Sequence, residues 1–225
     1  MKKLFAIATL FVIFLAEAQA GNENVSYSSG HFFMRANRPT NKEYIIEGSP
    51  YSNGDKFTKV VIKGFGTNVQ DLRYNAYEDE MEFKSGDELF FANKEEDLII
   101  TFKDLNKKYK CLKYLHDGKY VFGYLQLLVD NPKISLYKRE KVELLKGEKS
   151  TNAYSKDAND YYAKMKDIYL VNHKERLVKF PKNVSDASEF FSIDKKLLSD
   201  FVTNNKMNFS KESDMIKLIE FVNNN

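Results

Sequence analysis

Short runs of Tyr, Phe, Val and Ile alternate with polar turn residues through the middle of the chain. Turn signals such as SNGD at 52–55, KSGD at 84–87, HDGK at 116–119 and DNPK at 130–133 separate these runs. Short strands at such regular spacing are typical of an antiparallel meander, and helical periodicity is missing here. The pattern predicts strands at residues 43–47, 57–64, 69–76, 80–84, 88–91, 98–102, 109–115, 119–129, 134–145, 161–171 and 176–180.

One predicted strand, YVFGYLQLLV at 120–129, is apolar on both faces, with Gln126 as its clearly polar side chain. A strand with one solvated face alternates apolar and polar residues, and this one does not. We therefore expect it to lie centrally in the sheet and to be covered on both sides, with the C-terminal segment as the second cover.

Helical spacing replaces the strand pattern in residues 186–225. The apolar residues that share helix faces at this spacing are Phe190, Leu197, Leu198 and Phe201, and then Met215, Leu218, Ile219 and Val222. We expect Ser192 and Ser210 to be N-caps. Because short helices are unstable alone, the pair must dock on the sheet or on a partner. The predicted fold class is α+β: an antiparallel β-meander (curved sheet, sandwich or half-barrel) followed by a C-terminal α-helical pair.

The N-terminus has the three parts of a secretory signal peptide. Lys2 and Lys3 are the positive region, residues 4–15 are the apolar core, and Ala18 and Ala20 form an A-x-A cleavage site before Gly21. The run is too short to span a bilayer, although an N-terminal anchor or a buried helix is the alternative. We predict an exported protein, periplasmic or extracellular. The predicted organisation is a signal peptide at 1–20, a flexible segment at 21–42, an antiparallel β-rich domain at 43–182 and a helical hairpin at 186–225.

Charge and cysteine content exclude some classes of function. The chain has 35 Lys and Arg against 32 Asp and Glu, interspersed, so the basic stripe of a nucleic-acid-binding protein is missing. The small positive clusters at 107–108 and 138–140 are typical of solvated strand edges. Cys111 is the only cysteine, so no intramolecular disulfide forms, and we expect it to be a core residue. His116, five positions on, should lie on the opposite face of the same strand, which argues against a Cys–His pair.

The most acidic stretch, LRYNAYEDEMEF at 72–83, poses the main chemical question. Its apolar residues lie at even positions up to 76 and at odd positions from 77, and a continuous strand cannot change parity. We therefore predict a tight turn around 75–79 between two strands. Glu78, Glu80 and Glu82 should then share a solvent face opposite Met81 and Phe83. A calcium loop would need a glycine-bearing turn, which this stretch lacks, so we do not predict a metal site.

No catalytic, cofactor-binding or metal-binding residue is predicted elsewhere. His31, His116 and His173 lack metal-ligand spacing, and the last two fall in predicted turns, where a surface imidazole is ordinary. No nucleophile elbow, phosphate loop or C-x-x-C motif occurs. Carboxylates that assemble only in space, as in a glycoside hydrolase, leave no local pattern, so a hydrolase stays a third possibility.

Four blocks carry a resemblance: GSPY at 48–51, LRYNAYEDEMEF at 72–83, SLYKRE at 135–140 and the closing FSKESDMIKLIEFVNNN. In these blocks the chain resembles a group of uncharacterised exported proteins of flavobacteria and related Gram-negative bacteria. The resemblance implies a location in a Gram-negative envelope and has no assigned activity. It implies core roles for Leu72, Tyr74 and Phe83, and a place on the helix face for Leu218 and Ile219.

Together these observations predict an exported envelope protein with a non-enzymatic binding or structural role. Its expected partner is another envelope protein or a surface component, with no cofactor, no nucleic acid and no transmembrane segment in the mature chain. The alternative is a periplasmic carrier or sensor of an apolar ligand such as a lipid, built as a half-barrel closed by helices.

Overall fold

A computed structural model describes residues 24–25, 34–36, 45–66, 69–151, 157–174 and 176–225, with the backbone alone at 24–25 and 34–36. Within these ranges the strands are β1 (Asn24–Val25), β2 (Met34–Ala36), β3 (Val60–Ile62), β4 (Arg73–Asn75), β5 (Glu80–Ser85), β6 (Glu88–Ala92), β7 (Ile99–Phe102), β8 (Lys107–His116), β9 (Lys119–Val129), β10 (Ile134–Arg139), β11 (Val142–Leu145), β12 (Tyr161–Lys164), β13 (Ile168–His173) and β14 (Arg176–Lys179). The helices are α1 (Val184–Phe191), α2 (Lys195–Asn204) and α3 (Glu212–Asn223). The predicted fold class is confirmed. β1 and β2 lie inside the segment that was expected to be flexible.

A seven-stranded sheet has the order β14-β13-β10-β9-β8-β7-β3, with antiparallel neighbours throughout. β9 is its middle strand, as the apolar run at 120–129 predicted. The sheet is strongly curved: β14 contacts β8, although three strands separate them in the order. The concave face is filled by its own side chains, which are Tyr114, Leu125, Leu127, Tyr137 and Leu170.

Two separate covers lie on the convex face of this sheet. The five-stranded sheet β1-β2-β6-β5-β4 packs on β7, β8 and β9 through a core that contains Leu72, Met81 and Phe83. The helices pack on β10 and β13, where Leu198, Leu218 and Ile219 meet Ile134 and Leu136. The C-terminal segment therefore covers only half of this face, and the hairpin of β4 and β5 covers the other half.

The strands predicted at 134–145 and 161–171 are each divided in two. β10 and β13 pair inside the large sheet, whereas β11 and β12 form a separate two-stranded ribbon. The break falls after Arg139 on one strand and at residues 165–167 on the other, so the long hairpin bends there. The sequence predicted unbroken strands because no Gly or Pro marks the bend on either strand.

Local hydrogen bonds fix the ends of the helices. The side chain of Asn183 accepts the backbone N–H of Asp186 at the start of α1, and Asp194 accepts that of Leu197 at the start of α2. Ser192, predicted as an N-cap, instead ends α1 in the left-handed conformation (φ 57°). The N-cap of α3 is Lys211 rather than Ser210, without a capping side chain. Among the described residues, no helix has the length and apolar content to cross a bilayer.

Candidate functional site

The acidic stretch forms the predicted hairpin but not the predicted solvent face. β4 and β5 flank a turn at residues 76–79, as the change of parity required. Glu78 is exposed, but Glu80 is buried and Glu82 is only 1% exposed, so the expectation of a solvated row is wrong. The burial follows from the bonds that neighbouring side chains make to these carboxylates.

Glu82 is held by three donors. Arg73 Nε lies 2.7 Å and Tyr51 Oη 3.1 Å from Glu82 Oε2, and Asn75 Nδ2 lies 2.7 Å from Oε1. The guanidinium also covers the ring of Tyr51, 4.0 Å from its centroid. Arg73 and Glu82 are directly opposite in the antiparallel register, which the predicted hairpin could have indicated. The site is a compensated buried ion pair and leaves no free carboxylate oxygen for a metal.

Asp79 ties the turn of this hairpin to the large sheet. Asp79 Oδ1 accepts the Tyr74 hydroxyl at 2.8 Å and the backbone N–H of Tyr124 at 3.1 Å, and Lys94 Nζ lies 3.5 Å from Oδ2. Burial raises the pKa of the Asp79 carboxyl, and the charge of Lys94 and the hydrogen bonds oppose that rise. All of these partners are groups of this chain, so the contacts of Asp79 have a structural role.

A polar row crosses the convex face between the two covers. Its members are neighbours in register on four adjacent strands: Tyr109, Gln126, Lys138 and Tyr169. Lys138 Nζ lies 2.9 Å from Glu212 Oε2 in the first turn of α3, and the Tyr169 hydroxyl donates to the same oxygen at 3.0 Å. The row therefore joins the helical cover to the sheet.

Glu140 lies at the bend where β10 ends, next to this row. Its carboxylate accepts the Tyr109 hydroxyl at 2.5 Å, Lys107 Nζ at 2.9 Å and the Ser52 hydroxyl at 3.1 Å. Burial disfavours the ionised form, but the bonds from Tyr109 and Lys107 outweigh it and hold the pKa of Glu140 below its usual value. The expectation that the clusters at 107–108 and 138–140 are solvated edges is therefore wrong for Lys138 and Glu140, which are buried, and for the partly buried Lys107.

Two further sequence expectations concern Cys111 and the histidines. Cys111 is fully buried in the core, and burial raises the pKa of its thiol to about 12. Cys111 and His116 lie on one strand, five positions apart, so their side chains point to opposite faces as predicted. His116 Nε2 accepts Arg139 Nη1 at 2.9 Å. No group of three His, Cys, Asp or Glu side chains within the described ranges is placed to hold a metal ion.

An open concave surface lies between the β13–β14 hairpin and α1. It is a cleft of about 700 Å³ that continues past Phe180 and Pro181 into a second cleft of about 500 Å³. We call the joined clefts the cationic groove. Its charged lining residues are Lys166, Asp167, Lys174, Arg176, Lys179, Lys182, Asp186 and Glu189.

His173 lies at the floor of the cationic groove. It was predicted to be a surface residue in a turn, but it is buried at the end of β13. Its Nδ1 lies 3.1 Å from the carbonyl oxygen of Phe190, and because a carbonyl only accepts, Nδ1 carries the proton. The imidazole also packs edge-on against the ring of Phe190. His173 therefore fastens α1 to the sheet beneath the groove.

Three cations of the groove form no ion pair with any described residue. Among described residues, Lys174, Arg176 and Lys182 are exposed and form no ion pair, and Lys179 lies 3.6 Å from Asp117. The carboxylate of Asp186, in contrast, accepts the side-chain amide of Asn183 at 2.9 Å. The sequence does not predict this surface, because its members come from a turn, a strand and a helix that only the fold brings together.

The predicted cleavage residues Ala18, Ala20 and Gly21, and His31, lie outside the described residues. No protein-family model, curated protein or solved structure matches the chain.

Proposed function

We propose that this protein is an exported, non-enzymatic binding protein that holds an acidic segment of a partner protein in the cationic groove. The observation that carries the proposal is the set of exposed cations Lys174, Arg176 and Lys182 around a concave surface, which form no ion pair with the described part of the chain. Cations in a groove attract an anionic partner and orient it on approach.

The shape of the groove favours an extended chain over a small molecule. Small-molecule sites usually bury most of the ligand, whereas both clefts here are wide open to solvent. The groove also continues across the segment from Phe180 to Lys182, so it is longer than a single compact pocket. A peptide segment fits a surface of this form.

The charge of the groove favours an acidic segment. The first cleft is lined by four Lys and Arg side chains and two acidic ones, Asp186 and Glu189. Even if Glu175, which lies between Lys174 and Arg176 in the sequence, is counted, the positive charges are in excess. Phe180 and Phe190 add apolar contact for the stems of the partner's side chains.

The carrier of an apolar ligand is the second candidate, and the geometry supports it less. Such a carrier needs an enclosed apolar cavity. The concave face of the curled sheet is the natural place for one, but Leu125, Tyr137 and Leu170 fill it. The clefts described above are open and lined by charges instead.

A charge-reversal experiment tests the groove. The triple variant Lys174→Glu, Arg176→Glu and Lys182→Glu is compared with a matched triple variant at the opposite edge of the sheet, Lys56→Glu, Lys59→Glu and Lys63→Glu. The probe is a short fluorescein-labelled poly-L-glutamate peptide, followed by fluorescence anisotropy. Three exposed contacts of up to ~1 kcal/mol each predict a loss of affinity of about tenfold to a hundredfold for the groove variant alone.

Salt and the control variant decide the outcome. Binding should weaken as ionic strength rises, because exposed charges are screened. Equal losses in both triple variants would mean that the peptide reads net charge and not the groove. A wild-type protein that does not bind the peptide even at low salt would end the proposal.

Export is tested separately. The full chain is expressed in an exporting Gram-negative host, and intact-mass spectrometry is applied to the periplasmic fraction. We expect a mature chain that begins at Gly21. A periplasmic chain that keeps residues 1–20 would contradict the predicted cleavage, and a chain that stays in the cytoplasmic fraction would contradict export.

A further inference from the structure

The outer half of the β8–β9 hairpin extends beyond its neighbours in the sheet. β7 pairs with β8 only at its first residues, up to Lys110, and β10 pairs with β9 only from Gln126 onward. The two strands nevertheless stay paired with each other to His116 and Lys119. The two-stranded ribbon therefore continues beyond the strands that pair with it, while β14 lies against β8.

One face of this ribbon carries exposed apolar side chains. Leu115 is 52%, Tyr120 86% and Phe122 36% exposed. Leu115 and Tyr120 are directly opposite in register, and Phe122 is opposite Lys113. We call Leu115, Tyr120 and Phe122 the aromatic tip. Its opposite face packs inward through Tyr114 and Val121.

We propose that the aromatic tip docks this protein on the surface of an anionic lipid bilayer. Aromatic rings with a polar end are favoured at the boundary between headgroups and acyl chains, and lysine stems cover apolar surface while their ammonium groups stay in water. The tip combines both, because Lys113 Nζ lies 5.8 Å from the centroid of the Phe122 ring and exposed Lys119 adjoins Tyr120.

The charges around the tip complement anionic headgroups. Two acidic groups there already have cationic partners: Glu96 lies 2.9 Å from Lys113, and Asp117 lies 3.6 Å from Lys179. Lys119 forms no ion pair among the described residues. The cationic groove begins at Lys179, so the positive surface extends away from the tip.

The form of the ribbon favours a lipid surface over a protein partner. A stable protein–protein interface usually buries more than about 1,000 Å² in total, over a broad patch. Three exposed side chains at the end of a narrow hairpin do not supply such a patch, but they suffice to enter a bilayer interface. A second copy of the chain is the main competing occupant, and the test below separates it.

Tryptophan fluorescence reports on the tip directly, because the chain contains no Trp. The Tyr120→Trp variant of the full chain is mixed with vesicles of phosphatidylcholine and phosphatidylglycerol, and its emission and its quenching by acrylamide are measured. The matched controls are Val61→Trp and Leu197→Trp, which place the same probe at exposed sites on β3 and α2. We expect a blue shift and protection from acrylamide for Tyr120→Trp and no change for either control.

The local readout matters because the apolar residues 4–15, where they are retained, would bind vesicles by themselves. The second measurement uses a triple serine variant, Leu115→Ser, Tyr120→Ser and Phe122→Ser. It is made on the chain from which export has removed residues 1–20, or on the full chain if those residues are kept. In Tyr120→Trp, an unchanged emission on vesicles would overturn the proposal. So would a blue shift that occurs without vesicles and follows dimer formation in sedimentation, since a second copy would then cover the tip.

The lipid proposal and the groove proposal fail separately. The groove charge-reversal variant should keep the fluorescence change of Tyr120→Trp on vesicles in moderate salt, and the triple serine variant should keep its affinity for poly-L-glutamate. Circular dichroism confirms that each variant is folded before either measurement is read.

Discussion

The carboxylate of Asp79 occupies the space that a side chain at Gly123 would need. A Cβ atom on Gly123 would overlap the carboxylate of Asp79, which accepts the backbone N–H of Tyr124. β10 pairs with β9 only from Gln126 onward, so Tyr124 lies beyond the last β10 partner. The Asp79 carboxylate therefore supplies the acceptor that a neighbouring strand would otherwise give, and it joins the two sheets at that point.

The first prediction concerns this fit. Gly123→Ala should lower the free energy of unfolding by about 1–3 kcal/mol, because the added methyl group displaces the carboxylate from Tyr124. Urea unfolding followed by circular dichroism measures the loss. Gly66→Ala is the matched control, since no described atom lies within 4 Å of a Cβ there, and it should change stability little.

A double variant checks that Asp79 is the cause. With Asp79→Ala already present, Gly123→Ala should cost clearly less than it does alone, because the overlapping carboxylate is gone. Additive losses would show that the methyl group at 123 acts on something else.

The hairpin that holds Asp79 shows what local sequence can predict. The change of parity inside LRYNAYEDEMEF was enough to predict a turn around 75–79, because side-chain period is a property of a strand alone, and the turn lies at residues 76–79. The prediction of a solvent face was wrong, because burial of Glu82 depends on Tyr51 as well as on its neighbours in the hairpin. Tyr51 is 31 positions away in the chain, and no pattern in the sequence links the two.

The second prediction tests the buried ion pair of that hairpin. Arg73→Leu should lower the free energy of unfolding by about 3–5 kcal/mol, because it leaves the Glu82 carboxylate buried without its cation. Thermal unfolding of the same material gives an independent measure. Glu78→Gln changes an exposed carboxylate in the same stretch, and we expect it to be close to neutral. Similar losses of stability for both variants would mean that Glu82 is exposed to solvent.

The polar row and Glu140 beside it could not be predicted from the sequence for a similar reason. Lys138 and Glu140 are close in the chain, but Glu212 belongs to α3, and only the docking of that helix brings it to Lys138. No Gly or Pro marks the bend that carries Glu140, so the sequence predicted one strand where the fold has two. Long-range packing, and not propensity, determines both features.

The third prediction is a pH dependence that arises at Glu140. Its pKa is lower in the folded chain than the ordinary 4.5, so its ionised form stabilises the fold above that value. This contribution should be lost as the pH falls below 4.5 and through the folded pKa. Glu140→Gln should reduce stability at neutral pH by about 1–3 kcal/mol and flatten the acid limb of the stability curve.

The control for this prediction is Glu88→Gln, which removes an exposed carboxylate. It should leave both the neutral stability and the acid limb close to those of the wild type. If Glu140→Gln lowered the free energy of unfolding as much at low pH as at neutral pH, the ionised form of Glu140 would not be the source of the stabilisation.

The last prediction concerns the thiol of Cys111. Burial in the core raises its pKa to about 12, against the opposing charge of Lys94, so almost none of it is thiolate at neutral pH. Thiolate is the reactive form, and the side chain is also out of reach of solvent. Iodoacetamide should therefore alkylate the folded protein more than about a hundredfold more slowly than glutathione under the same conditions. In denaturant the single cysteine should react fully, as mass spectrometry would show. Rapid alkylation of the native chain would mean that the core around β8 opens far more often than its packing implies, because a buried thiol reacts only through such openings.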